Sequence, residues 1–297
     1  MRKFIARILC FCVGVSSLFA FGGCTNRAYT RELIDALENN DMKKFTRMVN
    51  YGFNLDARPL PRILSDNAVN RPPLVVAVIN ANFEAVKILI EAGANPNVSS
   101  IDSDHTTPLH AALFGCTGAY VQDDEELLNT YYEIAYYLIE KGADINKETY
   151  YKHTPLSILT LRYDGREEGY NLFLYLLEKG AKIDAGYKGH AIFGACSNIN
   201  SFPMAQYLFE NYEIDVNMRS RLTSQHTLLM ETVPPHGCSP VMCQYLLDKG
   251  ADKTLKDANG KTAYDLAIEQ QEFLLNKGYG EENEFLVEVN TLVELLK

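Results

Sequence analysis

Histidine and cysteine are the side chains of this 297-residue chain with the widest chemical reach, six of the first and seven of the second. Their spacing assembles no reactive pattern. His105 and His110 stand five positions apart across an expected helix start, the wrong register for two metal ligands on one helix face. His153 and His226 each directly precede a threonine in expected turns, positions that face solvent more often than they ligate. Cys116, Cys196, Cys238 and Cys243 lack the C-x-x-C spacing of metal sites. No Gly-rich phosphate loop, His-Glu-x-x-His helix or nucleophile elbow occurs. The nearest approach to a nucleophile is His236-Gly237-Cys238, where an imidazole could activate a thiol. Nothing in the sequence supplies an orienting third group or an oxyanion site beside it. A Cys238–Cys243 disulfide is admissible in an oxidising compartment. Helix geometry around Cys243 separates the pair, however, and buried unreactive thiols are the simpler expectation. Asp123-Asp124-Glu125-Glu126 radiates from a helix instead of converging on a cation. The expectation is a protein with no catalytic residue, no metal and no cofactor.

The elements around these side chains must then carry the function. With 47% hydrophobic residues the chain can bury a substantial core. Its 28 Lys+Arg against 38 Asp+Glu exclude nucleic acid as an expected partner, because phosphate binding needs clustered cations. Eighteen tyrosines and no tryptophan suggest rings packed on helices with their hydroxyls in water. The start is distinct in character. Arg2, Lys3 and Arg7 precede an uncharged run from Ile8 to Gly23, the layout of a secretory signal and short for a membrane span. Phe21-Gly22-Gly23-Cys24 resembles the lipobox of bacterial lipoproteins, with Phe21 in place of the usual leucine. The resemblance implies a signal peptide over 1–23, lipidation at Cys24 and a tether over 24–30. Thr25 is not the aspartate of inner-membrane retention. The expected location is therefore the bacterial cell envelope, lipid-anchored, with the outer membrane favoured over the inner.

One phrase recurs along the rest of the chain: an apolar run, then Gly-Ala, then a short polar stretch. It stands at Val86–Asn95, Tyr137–Asp144, Tyr175–Lys182 and Tyr245–Asp252, with degenerate copies at Met48–Gly52 and Tyr207–Tyr212. A second phrase, Thr107-Pro108-Leu109-His110-Ala111-Ala112, returns in part at Thr154-Pro155-Leu156 and more loosely at Pro73–Ala77 and Thr262–Ala267. Threonine can cap a helix, and proline fits its first turn, where no intrahelical N–H is lost. Glycine after a helix permits the left-handed conformation. Together these phrases resemble the ankyrin repeat. The resemblance implies an all-α solenoid of stacked helix-turn-helix units with β-turn fingers, six or seven of them over 31–270. Residues 271–297 are expected to form a C-terminal capping helix. Glycine spacings of 41, 49 and 38 exceed the ankyrin unit of about 33. The surplus is expected in loops at 58–71, 115–129, 163–169 and near 198–202.

Ankyrin-type units bind through turn tips and first helices, which assigns the tips here to 99–106, 149–153, 187–188, 219–225 and 256–261. Tyr150, Tyr151, Lys152, Tyr187, Lys188, Arg219 and Arg221 are the candidate partner-binding residues, since large aromatics and arginines make effective contact anchors. The expectation is a monomeric, non-catalytic module for an unidentified protein partner, held at the membrane through its N-terminal lipid. Two alternatives differ in class: an accessory scaffold that stabilises a periplasmic enzyme, and a thiol-dependent enzyme using Cys238 and His236. The second requires a depressed thiol pKa.

Overall fold

The computed structural model describes residues 18–58, 71–101, 105–186, 190–235 and 237–297, with side chains from residue 28 onward. Among the described residues it is all-α. Strand pairing is confined to one isolated antiparallel bridge, Arg219 with Thr227. The chain forms two compact units, Met1–Asp144 and Ile145–Lys297.

The described residues of the first unit hold three helix pairs: α1 (Leu18–Glu38) with α2 (Met42–Val49), α3 (Pro73–Ile79) with α4 (Phe83–Glu91), and α5 (Pro108–Val121) with α6 (Glu125–Glu140). First helices stack on first helices, α1 on α3 on α5, and second on second, α2 on α4 on α6. The second unit holds α7 (Pro155–Arg162) with α8 (Glu167–Glu178), and α9 (Ala191–Ser197) with α10 (Phe202–Asn211). It continues with α11 (Leu228–Glu231) and α12 (Pro240–Asp248), then α13 (Ala263–Asn276) and α14 (Glu284–Leu296). Its first helices again run in contact, α7 to α9 to α11 to α13.

The recurring phrases have local physical causes. Thr107, Thr154, Thr227 and Thr262 each cap a first helix by accepting the N–H three residues on. In the first of these His110 completes the cap. Its Nδ1 lies 2.8 Å from the Thr107 hydroxyl and accepts the Thr107 N–H at 3.4 Å, so this fully buried imidazole serves its own helix start. Gly93 has φ +93°, and behind it the Ala94 N–H closes on Leu89 O at 3.0 Å. A side chain at Gly93 would resist that left-handed stop. The degenerate copy without glycine ends differently, at an extended Tyr212. Where a lysine precedes the glycine it also has a role: Lys141, Lys179 and Lys249 lie 4.9–5.3 Å over the rings of Tyr137, Tyr175 and Tyr245, four residues earlier.

Adjacent turns are clasped by asparagine. In the first unit Asn97 accepts the Asp144 N–H at 2.6 Å and donates to Gly142 O at 3.0 Å. In the second Asn146 accepts the Lys182 N–H at 2.8 Å and donates to Gly180 O at 3.2 Å. One amide thus satisfies a donor and an acceptor of the next repeat and sets the stacking register.

The expectation that surplus residues sit in loops needs correcting at 115–129. There α5 runs on to Val121 and α6 begins at Glu125, so the surplus lengthens a hairpin. Asp124 caps α6 by accepting the Leu127 N–H, and Glu125 and Glu126 sit in its first turn, where the helix dipole favours anions. The acidic run is a helix start. At 163–169 and 198–202 the surplus does form connections, and the two meet: Asn198 donates to Tyr163 O at 2.9 Å and Ser201 to Thr160 O at 2.7 Å. Residues 59–70 of the remaining insertion lie outside the described residues.

At the end of the chain, α14 buries Leu286, Val289, Leu292, Val293 and Leu296 and leaves Phe285 largely exposed. It packs on α13 and α12, which makes it the second half of a helix pair. The expected boundary at 270 falls inside α13. At the start, α1 runs unbroken through Cys24 and through residues 24–30. No helix among the described residues is long and apolar enough to cross a membrane.

Candidate functional site

Four of the polar turns between repeats fold back as fingers, each closed by a backbone hydrogen bond. Ser100 N–H reaches Thr106 O, Thr149 reaches His153 O, Ser220 reaches His226 O and Asp257 reaches Lys261 O, at 2.8–3.0 Å. The described residues of the tips expected at 99–106, 149–153, 219–225 and 256–261 fall on these fingers, and residues 102–104 lie outside the described residues. Tyr187 and Lys188 lie outside the described residues.

Within the second unit Tyr150 and Tyr151 are 66% and 53% exposed, their rings edge to face at 5.4 Å. Lys152, in a left-handed conformation, pairs with Glu148 at 3.1 Å. Arg219 donates to Gln225 O at 3.0 Å and Lys256 O at 2.7 Å, which ties its own finger to the next one. Arg221 is exposed. Its charge acts on His190 in the preceding finger. His190 is held low, at about 4, by burial first; nearby Asp184 raises it and Arg221 lowers it. Its Nδ1 accepts the Ile192 N–H at 3.1 Å, a bond that only the unprotonated nitrogen can make.

His226 does not follow the surface expectation for turn histidines. It is buried at the base of its finger, with Nδ1 3.5 Å from Glu231 and Nε2 3.7 Å from Asp257. Glu231, 1% exposed, also accepts the Ser197 hydroxyl at 2.7 Å. Residues from α9, α11 and two fingers meet here. The one signal for it in the sequence was an acid inside the apolar run Leu228-Leu229-Met230-Glu231.

The thiol reading asks for a depressed pKa at Cys238, and the surroundings of Cys238 act in the opposite direction. Cys238 is pushed up to about 12, by burial first and then by a hydrogen bond to the Glu288 carboxylate and its charge. Such a thiol is a poor nucleophile at neutral pH. Cys116, Cys196 and Cys243 are buried, and none of the four forms a disulfide among the described residues. His236 lies outside the described residues. Among the described residues no cluster of three or more His, Cys, Asp or Glu could hold a metal.

In the first unit a cavity of about 370 Å³ opens along the first helices, lined by Arg71, Val75, Ile79, Phe114, Gly115 and Tyr131. The Tyr131 ring lies across α5 at Gly115, where a Cβ would come within 2.3 Å of it, and its hydroxyl donates to Ile79 O at 2.8 Å. Burial raises this phenol, and Tyr163, which donates to Arg166 O, reaches about 12 for the same reason. Both hydroxyls bond backbone where solvent was expected.

Helix pairs capped by threonine, stopped by left-handed glycine and joined by polar fingers decide the family. Residues 74–122 match the family described as ankyrin repeats (many copies). This chain carries ankyrin repeats. Alpha-latrocrustotoxin-Lt1a of Latrodectus tredecimguttatus is 30% identical over 207 residues, covering 68% of this chain and 14% of the toxin. The chain thus spans about a seventh of that relative. Among solved structures, the human ASB11 ankyrin repeat domain aligns with a TM-score of 0.53 at 19% identity, covering 88% of this chain and 96% of that one. A chain from the complex of the Bd0816 predatory endopeptidase of Bdellovibrio bacteriovorus with immunity protein Bd3460 gives 0.50 at 21%, covering 74% and 98%. The ankyrin repeat domain of Bcl-3 gives 0.50 at 23%, covering 79% and 92%. These likenesses establish the fold. The ankyrin repeat as a class is a non-catalytic protein-interaction module.

Proposed function

We propose that this ankyrin-repeat protein is a monomeric binding module of the bacterial cell envelope that captures a protein partner along the fingers of its second unit. The exposed Tyr150–Tyr151 pair carries the reading. Two adjacent aromatic rings held outward on a closed turn lose little further freedom on contact, and tyrosine is among the residues that dominate interface energies. Arg219, already immobilised by two carbonyls, ties the 219–225 finger to the next one, and Arg221 is exposed on that same finger. Lys152 belongs to the same finger as the tyrosines, and Tyr187 and Lys188 enter the reading from the sequence alone. The lipobox-like Phe21–Cys24 supports anchoring through acyl chains at Cys24, and Thr25 supports the outer membrane.

A second reading places the partner among enzymes. The similarity to a chain from an endopeptidase–immunity protein complex favours an accessory scaffold that holds a periplasmic enzyme in one state. Crosslinking in the native envelope separates the two, since only the second yields a product whose activity changes on binding. The Tyr150→Ala/Tyr151→Ala variant should lower partner capture at least tenfold and leave the helical circular dichroism intact. Undiminished capture removes the fingers from the function. Incorporation of a fatty-acid probe should vanish with Cys24→Ser, and labelling that persists refutes the anchor.

A further inference from the structure

Charge is sorted within the second unit. Its described finger segments, 145–154, 182–186, 215–227 and 252–262, hold eight basic side chains against five acidic ones. The remaining described residues of the unit hold six basic against sixteen acidic. A chain of formal charge −10 therefore presents one cationic edge.

The finger acids stay ionised but are held in fixed positions by their own turns. Asp215 accepts the Asn217 N–H at 2.9 Å and Asp252 accepts the Thr254 N–H at 2.8 Å. Asp257, buried, accepts the N–H groups of Asn259 and Lys261 at 2.8 and 2.9 Å. Hydrogen bonds hold Asp252 and Asp257 below the usual carboxylate range, with burial opposing them. Glu148 pairs with Lys152. Lys182, Arg221 and Lys256, by contrast, are exposed.

Resting on the finger-binding reading, we infer that the partner presents an acidic polypeptide segment, with an apolar side chain that seats on Tyr150 and Tyr151. A cationic edge on an acidic body attracts an anionic segment in a fixed orientation and repels it elsewhere. The local carboxylates make the edge unsuited to a uniform polyanion, which would meet Glu148, Asp184 and Asp252 at every alignment. A short segment of mixed acidic and apolar residues avoids them.

The test is selection of a displayed library of random twelve-residue peptides on the full chain. Strips of phosphatidylglycerol vesicles and a twenty-nucleotide single strand serve as rival anions. The selected pool should carry net negative charge. A synthetic member should bind at least tenfold more weakly to Arg221→Glu/Lys256→Glu, and about tenfold more weakly at 300 mM than at 50 mM NaCl. Arg219 is left in place because its carbonyl bonds shape the finger. A neutral or basic pool that still needs the two tyrosines overturns the acidic partner and leaves the finger site standing. An empty selection, or a pool indifferent to both variant pairs, overturns both. Vesicle or oligonucleotide binding with the same charge-reversal sensitivity overturns the polypeptide in favour of a polyanion.

Discussion

The two units treat the same repeat plan in opposite ways. In the first, the surplus at 115–129 brings the Asp124 cap and the helix formers at 125–128, and α5 and α6 reach 14 and 16 residues with a cavity beside Gly115. In the second, α9 and α11 are only seven and four residues long and wholly buried. Their backbone and polar groups are satisfied by side chains from neighbouring repeats, through Ser197, Glu231, His226 and Asn198. A repeat can therefore absorb extra residues as helix length or as packed connection. The choice follows capping and turn chemistry at the insertion. An apolar first unit should be sensitive to steric change, and a polar-stapled second unit to proton uptake and the loss of single polar groups.

Three experiments sharpen or break that contrast, with hydrogen exchange read separately over peptides 28–144 and 145–297. The largest effect is expected for His226→Ala. It removes the ring packed between the Glu231 and Asp257 carboxylates, and the second unit should lose about 3 kcal/mol, the upper range for a buried polar group left without its neighbour. Protection lost equally in the first unit would show that the polar cluster does not set the difference.

Acid comes next. His190 titrates near 4 in the folded unit against an ordinary 6.5 in the unfolded chain. Between those values the unfolded chain takes up a proton that the folded one refuses. Stability should therefore fall as pH drops from about 6.5 to 4 and level off below, by up to about 3 kcal/mol from this group. His190→Asn should flatten the slope in 145–297. A slope unchanged by that substitution would assign the acid sensitivity elsewhere.

The smallest effect is Tyr131→Phe in the first unit. It removes the bond to Ile79 O while keeping the ring over Gly115, and should cost about 1 kcal/mol, the usual net worth of such a bond. A loss as large as that of His226→Ala would erase the distinction between an apolar and a polar-stapled unit.

Local grammar was readable along the chain. Thr-Pro-Leu named the helix starts, Gly-Ala the stops, and the stretch between them the fingers, because caps and left-handed turns depend on residues within five positions of one another. The closing helix was readable for the same reason, from the period of Leu286, Val289 and Leu292–Val293. Of the candidate site, Tyr150 and Tyr151 were placed where the repeat put them. That Arg219 braces a neighbouring finger instead of standing open was not legible, since its acceptor Lys256 O lies 37 residues on.

What remained for the tertiary structure is all of longer range. The partnership of Ser197 with Glu231 and of Tyr131 with Ile79 joins residues 34 and 52 positions apart. The meeting of two insertions at Tyr163 and Asn198 is of the same kind. No periodicity encodes such contacts. They exist because stacking brings distant side chains into one dry space, where every polar atom must find a partner.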